Sequence, residues 1–336
     1  MRAVVYDRYG PADVLEVREV PVPRPAPGEV LVRVAAAGLN PADWRLRSGQ
    51  FRFALRLRFP FVPGADLAGV VEAVGDGVDD VRSGQPVMAM QATRTGGACA
   101  EYAAVPREHL APAPAGVPLL EAAGVPLCGS TALQALRDRA GLRAGLRAGQ
   151  RLLVHGAAGG VGSLAVQVGR ALGATVTAAA SRDAAALLRD LGAEEVLDRG
   201  TVDLTRPPER LREAFDVVLD AANALSFRHA RALLTPGGTA VSVNPFAERL
   251  SPGLLAPLRG GRRLRSVLVA PRAADLAVLS GWLAEGTVRP VVQRTLPLVE
   301  VRAAHRQLEA GHARGKTVLV VDPVLAGLVP GREVPA

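Results

Sequence analysis

Between Arg151 and Arg170 the sequence holds no charged side chain, and VHGAAGGVG (154–162) places glycines at 156, 159, 160 and 162. Residues without side chains do chemistry only through the main chain, so the stretch reads as a surface for something backbone amides can hold. RLLVH (151–155) has the length of a buried strand, GAAGG makes a turn, and VGSLAVQVGRALG continues as a helix. In that helix Val161, Leu164, Ala165, Val168 and Leu172 fall at i, i+3, i+4, i+7 and i+11, one apolar stripe facing a sheet. Gly173 ends it. Gly156 permits a tight reversal, Gly159 and Gly160 let backbone approach a ligand, and Gly162 lets the helix lie against the strand. The amides at the helix start carry partial positive charge, which suits a pyrophosphate. A glycine bend used only for packing is the alternative; strand, turn and helix in this order, inside a longer alternation, favour a dinucleotide.

The end of the second strand decides which dinucleotide, because an acid roughly 20 residues on would hold the free ribose 2′-hydroxyl of NAD. The chain has AAASRD (178–183) there. Ser181 and Arg182 offer a hydroxyl and a guanidinium to a 2′-phosphate, and Asp183 starts the next helix. NADPH is therefore the expected cofactor.

Positioning such a turn takes a sheet. Apolar strand candidates recur at 151–155, 174–180, 194–198, 216–220, 239–243 and 265–269, with helical stretches such as AAALLRDLG and SFRHARALLTPGG between most of them. That alternation predicts an α/β fold with a doubly wound parallel six-stranded sheet. A helix is expected at 120–138 and another at 274–285, and 294–321 supplies strand, helix and strand. Residues 1 to about 115 differ in texture, with short Val, Leu and Ala runs cut by Pro and Gly, and predict a β-rich domain. The expected division is 1–118, 119–290 and a returning segment 291–336, of which 323–336 forms a tail. The tandem AGLRAGLRAGQ (140–150) is a loop duplication to which we assign no function.

The formal charge of +8 raises nucleic acid as a partner. Arginines run from Arg2 to Arg332, interleaved with carboxylates; Lys316 is the only lysine; and aromatics make up 4%, leaving little to stack bases on. The densest basic groups are FRFALRLRF (51–59) and RGGRRLR (259–265). Cys99 and Cys128 are too few for a disulfide framework. The opening MRAVVYD reads as a strand rather than a secretion signal, and His155 with the glycines disqualifies 152–169 as a membrane span, so a cytoplasmic address is expected.

An ordered set of motifs covers nearly the whole length: AAGLNPADWRLRSG, FPFVPGADLAGVVEAVGDGV, GGACAEYAAVP, VPLCGSTALQAL, VHGAAGGVG, LLTPGGTAVSV and ARGKTVLVV. In these the chain resembles the zinc-independent medium-chain dehydrogenase/reductases of the quinone oxidoreductase branch. The resemblance implies a GroES-like β-rich domain, completed by the C-terminal segment, beside a Rossmann domain, with substrate and nicotinamide between them, and a homodimer. It implies that Asn40 and Asp43 lie near nicotinamide and substrate, that Thr131 contacts the nicotinamide ribose, and that Ala158, Gly159, Gly160 and Val161 hold the pyrophosphate. Asn223, Val243 and Val269 would fall at strand ends near the cofactor, and Lys316 would reach the cleft. Each has a plainer reading: Asn40 before Pro41 shapes a turn, Asp43 caps a helix, Thr131 is a helix residue and Lys316 is a solvated lysine. His155 is expected to be structural, His305 to lie on a surface helix and His312 in a loop.

Zinc-dependent relatives offer Cys and His in the loop where this chain has GLNPADW, and a His-Glu pair at Ala65-Asp66; Cys128 sits one residue out of register with another ligand, so no metal is expected. Many quinone reductases carry Tyr at the positions of Arg45 and Cys99, and a third Tyr where this chain has Arg199. Arg199 would add to 2′-phosphate binding, and Arg45, if inward, would suit an anionic or carbonyl-bearing substrate. The expected activity is hydride transfer from NADPH to a quinone or an α,β-unsaturated carbonyl compound, without metal and conceivably in a biosynthetic pathway. An NADPH-binding regulatory or nucleic-acid-linked protein and an alcohol dehydrogenase-like enzyme are the alternatives. The expected partners are a small carbonyl or quinone substrate and a second copy of the chain, with neither nucleic acid nor a membrane.

Overall fold

A computed structural model describes residues 1–53, 55–142, 149–244, 261–311 and 314–328. Two units make up the chain: Met1–Leu127 with Ala270–Ala336, and Cys128–Val269. The tandem repeat falls partly, and His312 and the end of the tail wholly, outside the described residues.

In the first unit β1 (Arg2–Val5) and β2 (Glu16–Glu19) form an antiparallel ribbon. The main sheet comprises β3 (Glu29–Leu39), β4 (Asp66–Val74), β5 (Pro86–Met90), β6 (Tyr102–Pro106) and β7 (Leu110–Pro112), with β14 (Val292–Pro297) and β15 (Lys316–Val320) from the far end of the sequence. Its order is β14-β15-β3-β4-β5-β7, and β6 pairs with the first half of β3 while β15 pairs with the second half. EVLVRVAAAGL can serve so many neighbours because all of it but Glu29 and Arg33 is buried, apolar on both faces. Gly69 in β4 lies against Arg33 at an irregularity of the β3–β4 ladder, where a side chain would strike the Arg33 carbonyl.

Beyond β3 the backbone at Asn40 stays extended, as a residue before proline must, and Pro41 opens helix α1 (Pro41–Arg47). The helix expected at 120–138 is broken. Helix α2 (Leu119–Ala122) ends ahead of Gly124, α3 starts at Pro126 (Pro126–Leu133), and Gln134–Arg139 widens into a π-turn. Proline lacks the amide a continuous helix would need there, and its ring would clash with the carbonyl of residue 122. Helix α2 packs on β3, β4 and β5, and a later helix, Ala273–Ala284, packs on β5 and β7, so 119–127 and 270–290 lie with the first unit rather than the second.

The second unit is the alternating half. Strands β8 (Arg151–His155), β9 (Thr175–Ala180), β10 (Glu195–Asp198), β11 (Phe215–Asp220), β12 (Leu234–Ser242) and β13 (Arg263–Ser266) are all parallel, ordered β10-β9-β8-β11-β12-β13. Helices α4 (Gly160–Ala171), α5 (Ala185–Asp190) and α6 (Phe227–Leu233) connect them, as a parallel sheet buried on both faces requires. The expected doubly wound sheet is present. Its last strand ends at Ser266, so Val269 lies three residues past it.

Helices α7 (Ala273–Ala284) and α8 (Val301–Ala310) complete the order. His305 on α8 departs from expectation: it is fully buried rather than surface-exposed. Burial first, then the charge of Arg47, presses its pKa down to about 3, so it stays neutral. One core collects side chains from both ends of the sequence, Val4, Leu39, Leu67 and Leu110 with Leu296, Val301 and Leu319. Leu319→Ala is expected to cost roughly 2–5 kcal/mol, read by urea unfolding, because a fully buried strand leucine leaves a cavity when truncated.

Candidate functional site

The turn after β8 in the second unit is built as the glycines anticipate. Gly156 has φ +75°, and a Cβ there would lie 2.8 Å from Ala222 Cβ and 2.9 Å from Ala222 N, so this turn touches the loop after β11. A Cβ on Gly162 would strike the Gly156 carbonyl and come within 2.7 Å of Ala157 Cα. Helix α4 begins at Gly160 behind an extended Gly159 that offers no side-chain cap. Ala158, Gly159, Gly160 and Val161 are half-buried around amides left unpaired within the helix, a cradle that fits a pyrophosphate.

Around it stand the C-terminal ends of the parallel strands. The His155 ring lies 2.9 Å from the Asp220 carboxylate, whose oxygens also accept the amides of Ala222 (3.2 Å) and Leu225 (2.8 Å). Those bonds shape the loop that holds Asn223 exposed at φ +53°. Val243 follows β12 directly, its amide donating to the Asp220 carbonyl at 3.3 Å. Ala180 of β9 faces Asp198 of β10, and Ser181, Arg182 and Arg199 follow this pair. Ser181 donates its hydroxyl to Asp183 at 2.6 Å, while Arg182 and Arg199 extend exposed and make no ion pair with any described residue. Arg199 joins His155, Leu197, Leu204 and Leu225 in lining a cavity of about 230 Å³. Two unengaged guanidiniums on adjacent strand ends, beside a largely apolar pocket, fit the phosphorylated nucleoside end of a dinucleotide.

A second constellation belongs to the first unit. The ammonium of Lys316, at the start of β15, donates to Asn40 Oδ1 (2.7 Å), Asp66 Oδ2 (2.9 Å) and the Leu39 carbonyl (3.1 Å). Asn40 Nδ2 donates to Asp66 Oδ2 at 3.0 Å, and Asp66 Oδ1 accepts the Leu127 amide at 2.6 Å. Asp43 Oδ2 accepts the Asn40 amide at 2.8 Å, so this residue does cap α1. All four side chains are buried: Asn40, Asp43, Asp66 and Lys316. Burial drives the Asp43 carboxyl up to about 7; the Asp66 carboxylate adds to the rise, while the Asn40 and Gly64 amides and the Lys316 ammonium restrain it.

The profile described as alcohol dehydrogenase GroES-like domain matches residues 26–115, and the one described as zinc-binding dehydrogenase matches 191–319. The chain is 33% identical to the chloroplast envelope quinone oxidoreductase homolog of Arabidopsis thaliana, over 96% of this chain and 98% of that protein. With the chloroplastic NADPH-dependent alkenal/one oxidoreductase of the same plant it shares 35% identity, over 96% of this chain and 80% of the other. The quinone oxidoreductase structure from Coxiella burnetii superposes with a TM-score of 0.82 at 30% identity, covering 96% and 99% of the two chains. The chain belongs to the medium-chain dehydrogenase/reductase family, in its quinone oxidoreductase-like branch. It is an oxidoreductase that uses a nicotinamide cofactor.

Within this medium-chain reductase the zinc named by one profile finds no fitting donor set. Among the described residues no three His, Cys, Asp or Glu converge as a metal site, and Asp66 is already held by Lys316, Asn40 and the Leu127 amide. Cys128 is a buried thiol on α3, and Thr131, also buried, follows it one turn later. The half-buried Arg45 lies over the Trp44 ring, 5.5 Å from its centroid. Lys316, expected to reach the cleft, directs its ammonium to Asn40, Asp66 and the Leu39 carbonyl.

Asp66 is the member of this buried network that the sequence did not single out, where it stood only as the place of an absent zinc ligand. One signal pointed to it: a chain that otherwise uses arginine keeps a single lysine where a compact ammonium must meet several acceptors at once, which a planar guanidinium does poorly. Asp43 generates a prediction. Its folded pKa lies above its unfolded value, so the stability it contributes is complete below about pH 4 and falls as pH rises through about 7. Asp43→Asn, an uncharged isostere, should flatten the unfolding free energy between those limits relative to the parent, measured by chemical denaturation across pH.

Proposed function

We propose that this oxidoreductase reduces a quinone or an α,β-unsaturated carbonyl compound with NADPH, without a resident metal and as a homodimer. The observation that carries the reading is the glycine cradle at the start of α4, backed by unengaged Arg182 and Arg199. Bound NADPH would supply a hydride. The uncapped amides of α4 would hold the pyrophosphate, and the two guanidiniums would pair with the 2′-phosphate, favouring it over the bare hydroxyl of NADH.

Reduction of an enone also consumes a proton, and Asp43 is suited to store it, since burial leaves its carboxyl half-protonated near neutrality. Cys99 is not suited, because burial raises its thiol well above the ordinary range. Lys316 and Asp66 hold Asn40, so the amide of Asn40 is a fixed dipole rather than a mobile contact. No phenol stands at position 45 or 99, which directs the reading toward activated alkenes whose own carbonyl takes up the electrons.

Loss of NADPH absorbance with a panel of enones and quinones tests the activity. Turnover of at least one is expected; tight NADPH binding with no turnover on any would overturn it. Cofactor choice is tested separately by titration: Arg182→Ala should weaken NADPH binding about tenfold or more while leaving NADH binding little changed, since a charged hydrogen bond contributes about 1.5–3 kcal/mol.

A further inference from the structure

FRFALRLRF (51–59) alternates Phe51, Phe53, Leu55, Leu57 and Phe59 with Arg52, Arg56 and Arg58. From Trp44 to Ala65 there are five arginines and no Asp or Glu, and five of the chain's twelve aromatic residues fall between Trp44 and Phe61. The acid-free stretches 139–182 and 249–274 also carry arginines but hold no aromatic residue, so the pairing of arginine with phenylalanine is what sets this segment apart. Phe53 is 90% exposed, and Leu55 and Phe59 are each 36% exposed. Arg52, Arg56 and Arg58 are exposed alongside them.

The segment is held in this presentation from beneath. The Tyr9 hydroxyl accepts the Leu57 amide at 3.0 Å and donates to the Leu55 carbonyl at 3.4 Å. Phe59 leans edge-on against Tyr6 and Tyr9, and Leu57 packs on the core. Phe53 and Leu55 remain open to solvent beside these anchored residues. The Arg52 guanidinium lies over the Phe53 ring, 4.9 Å from its centroid.

We propose that residues 51–59 dock the protein peripherally on a bilayer surface bearing anionic phospholipids, with Phe53 and Leu55 entering the headgroup boundary and Arg52, Arg56 and Arg58 pairing with lipid phosphates. Apolar side chains between arginines, without acids, match an interface that is oily below and anionic above. A nucleic acid fits less well, because Arg52 already covers one face of Phe53, the most exposed ring among the described residues. A second copy fits less well too, because a two-fold contact through this patch would set its arginines against their own equivalents. No helix among the described residues is long and apolar enough to cross a membrane, and surface docking requires none. The proposal is independent of the reductase reading.

The test is co-sedimentation of the full chain with vesicles of phosphatidylcholine alone or mixed with phosphatidylglycerol, at low and high salt. Binding to the mixed vesicles, weakened by salt and absent on phosphatidylcholine, is expected. Phe53→Ser should lower the partition coefficient about tenfold, and each of R52Q, R56Q and R58Q about fivefold, the equivalent of about 1 kcal/mol per arginine. Unchanged melting midpoints of these surface variants in the absence of vesicles would establish that folding is intact. Equal binding to both vesicle types, no binding, or full binding by the variants would overturn the proposal. So would tighter salt-sensitive binding to single-stranded RNA that Phe53→Ser leaves unaltered, or a shift of F53S from dimer to monomer with vesicle binding retained.

Discussion

A single ammonium holds the first unit to its site. Lys316 lies 250 residues from Asp66 and 276 from Asn40, yet bonds both inside a region closed to water. Stripping an ammonium and a carboxylate of water is costly, and the arrangement is sustained because each N–H of the lysine finds an acceptor and Asp66 is met by two further donors. The network fastens β15 to the β3–α1 corner, so the geometry of Asn40 and Asp43 follows from contacts made by the end of the chain. The near-neutral titration of Asp43 comes first from its burial, with the fixed Asp66 carboxylate adding to the rise and the Lys316 ammonium opposing it.

The second unit solves its problem by leaving side chains out. Where the first unit gathers buried charge, the turn after β8 carries only glycine, alanine and valine, leaving main-chain amides open to a ligand. Arg182 and Arg199 stand at the ends of the next two strands, β9 and β10, away from the cradle. On the proposed reading, nucleoside and pyrophosphate would be held at different strand ends, so that each contact could be altered without disturbing the other.

How much of this was legible depends on how local each signal is. The glycine turn and the six strands follow from periodicity and spacing, because the physics sits within a few residues, whereas the return of 294–321 to the first sheet is what the family resemblance implied. The break at Gly124–Pro126 was legible too, yet apolar periodicity on both sides suggested one helix. Asp66 and His305 were not, because their states are set by distant parts of the chain: Asp66 reads as an ordinary strand residue until Lys316 is beside it, and His305 as a helix-surface residue until the fold buries it. Neighbours hundreds of residues away decide whether a polar side chain is solvated or interred.

The nested order of the two units bears on synthesis at the ribosome. The six-stranded unit is complete once Val269 has emerged and can form while the first sheet still lacks β15. Until then the second half of β3 carries an open row of amides and carbonyls, a template for unwanted pairing, and the corner at Asn40 has no cation to neutralise Asp66. A nascent chain that stalls between those two points would therefore be competent to grip nucleotide while still exposing an adhesive edge to chaperones.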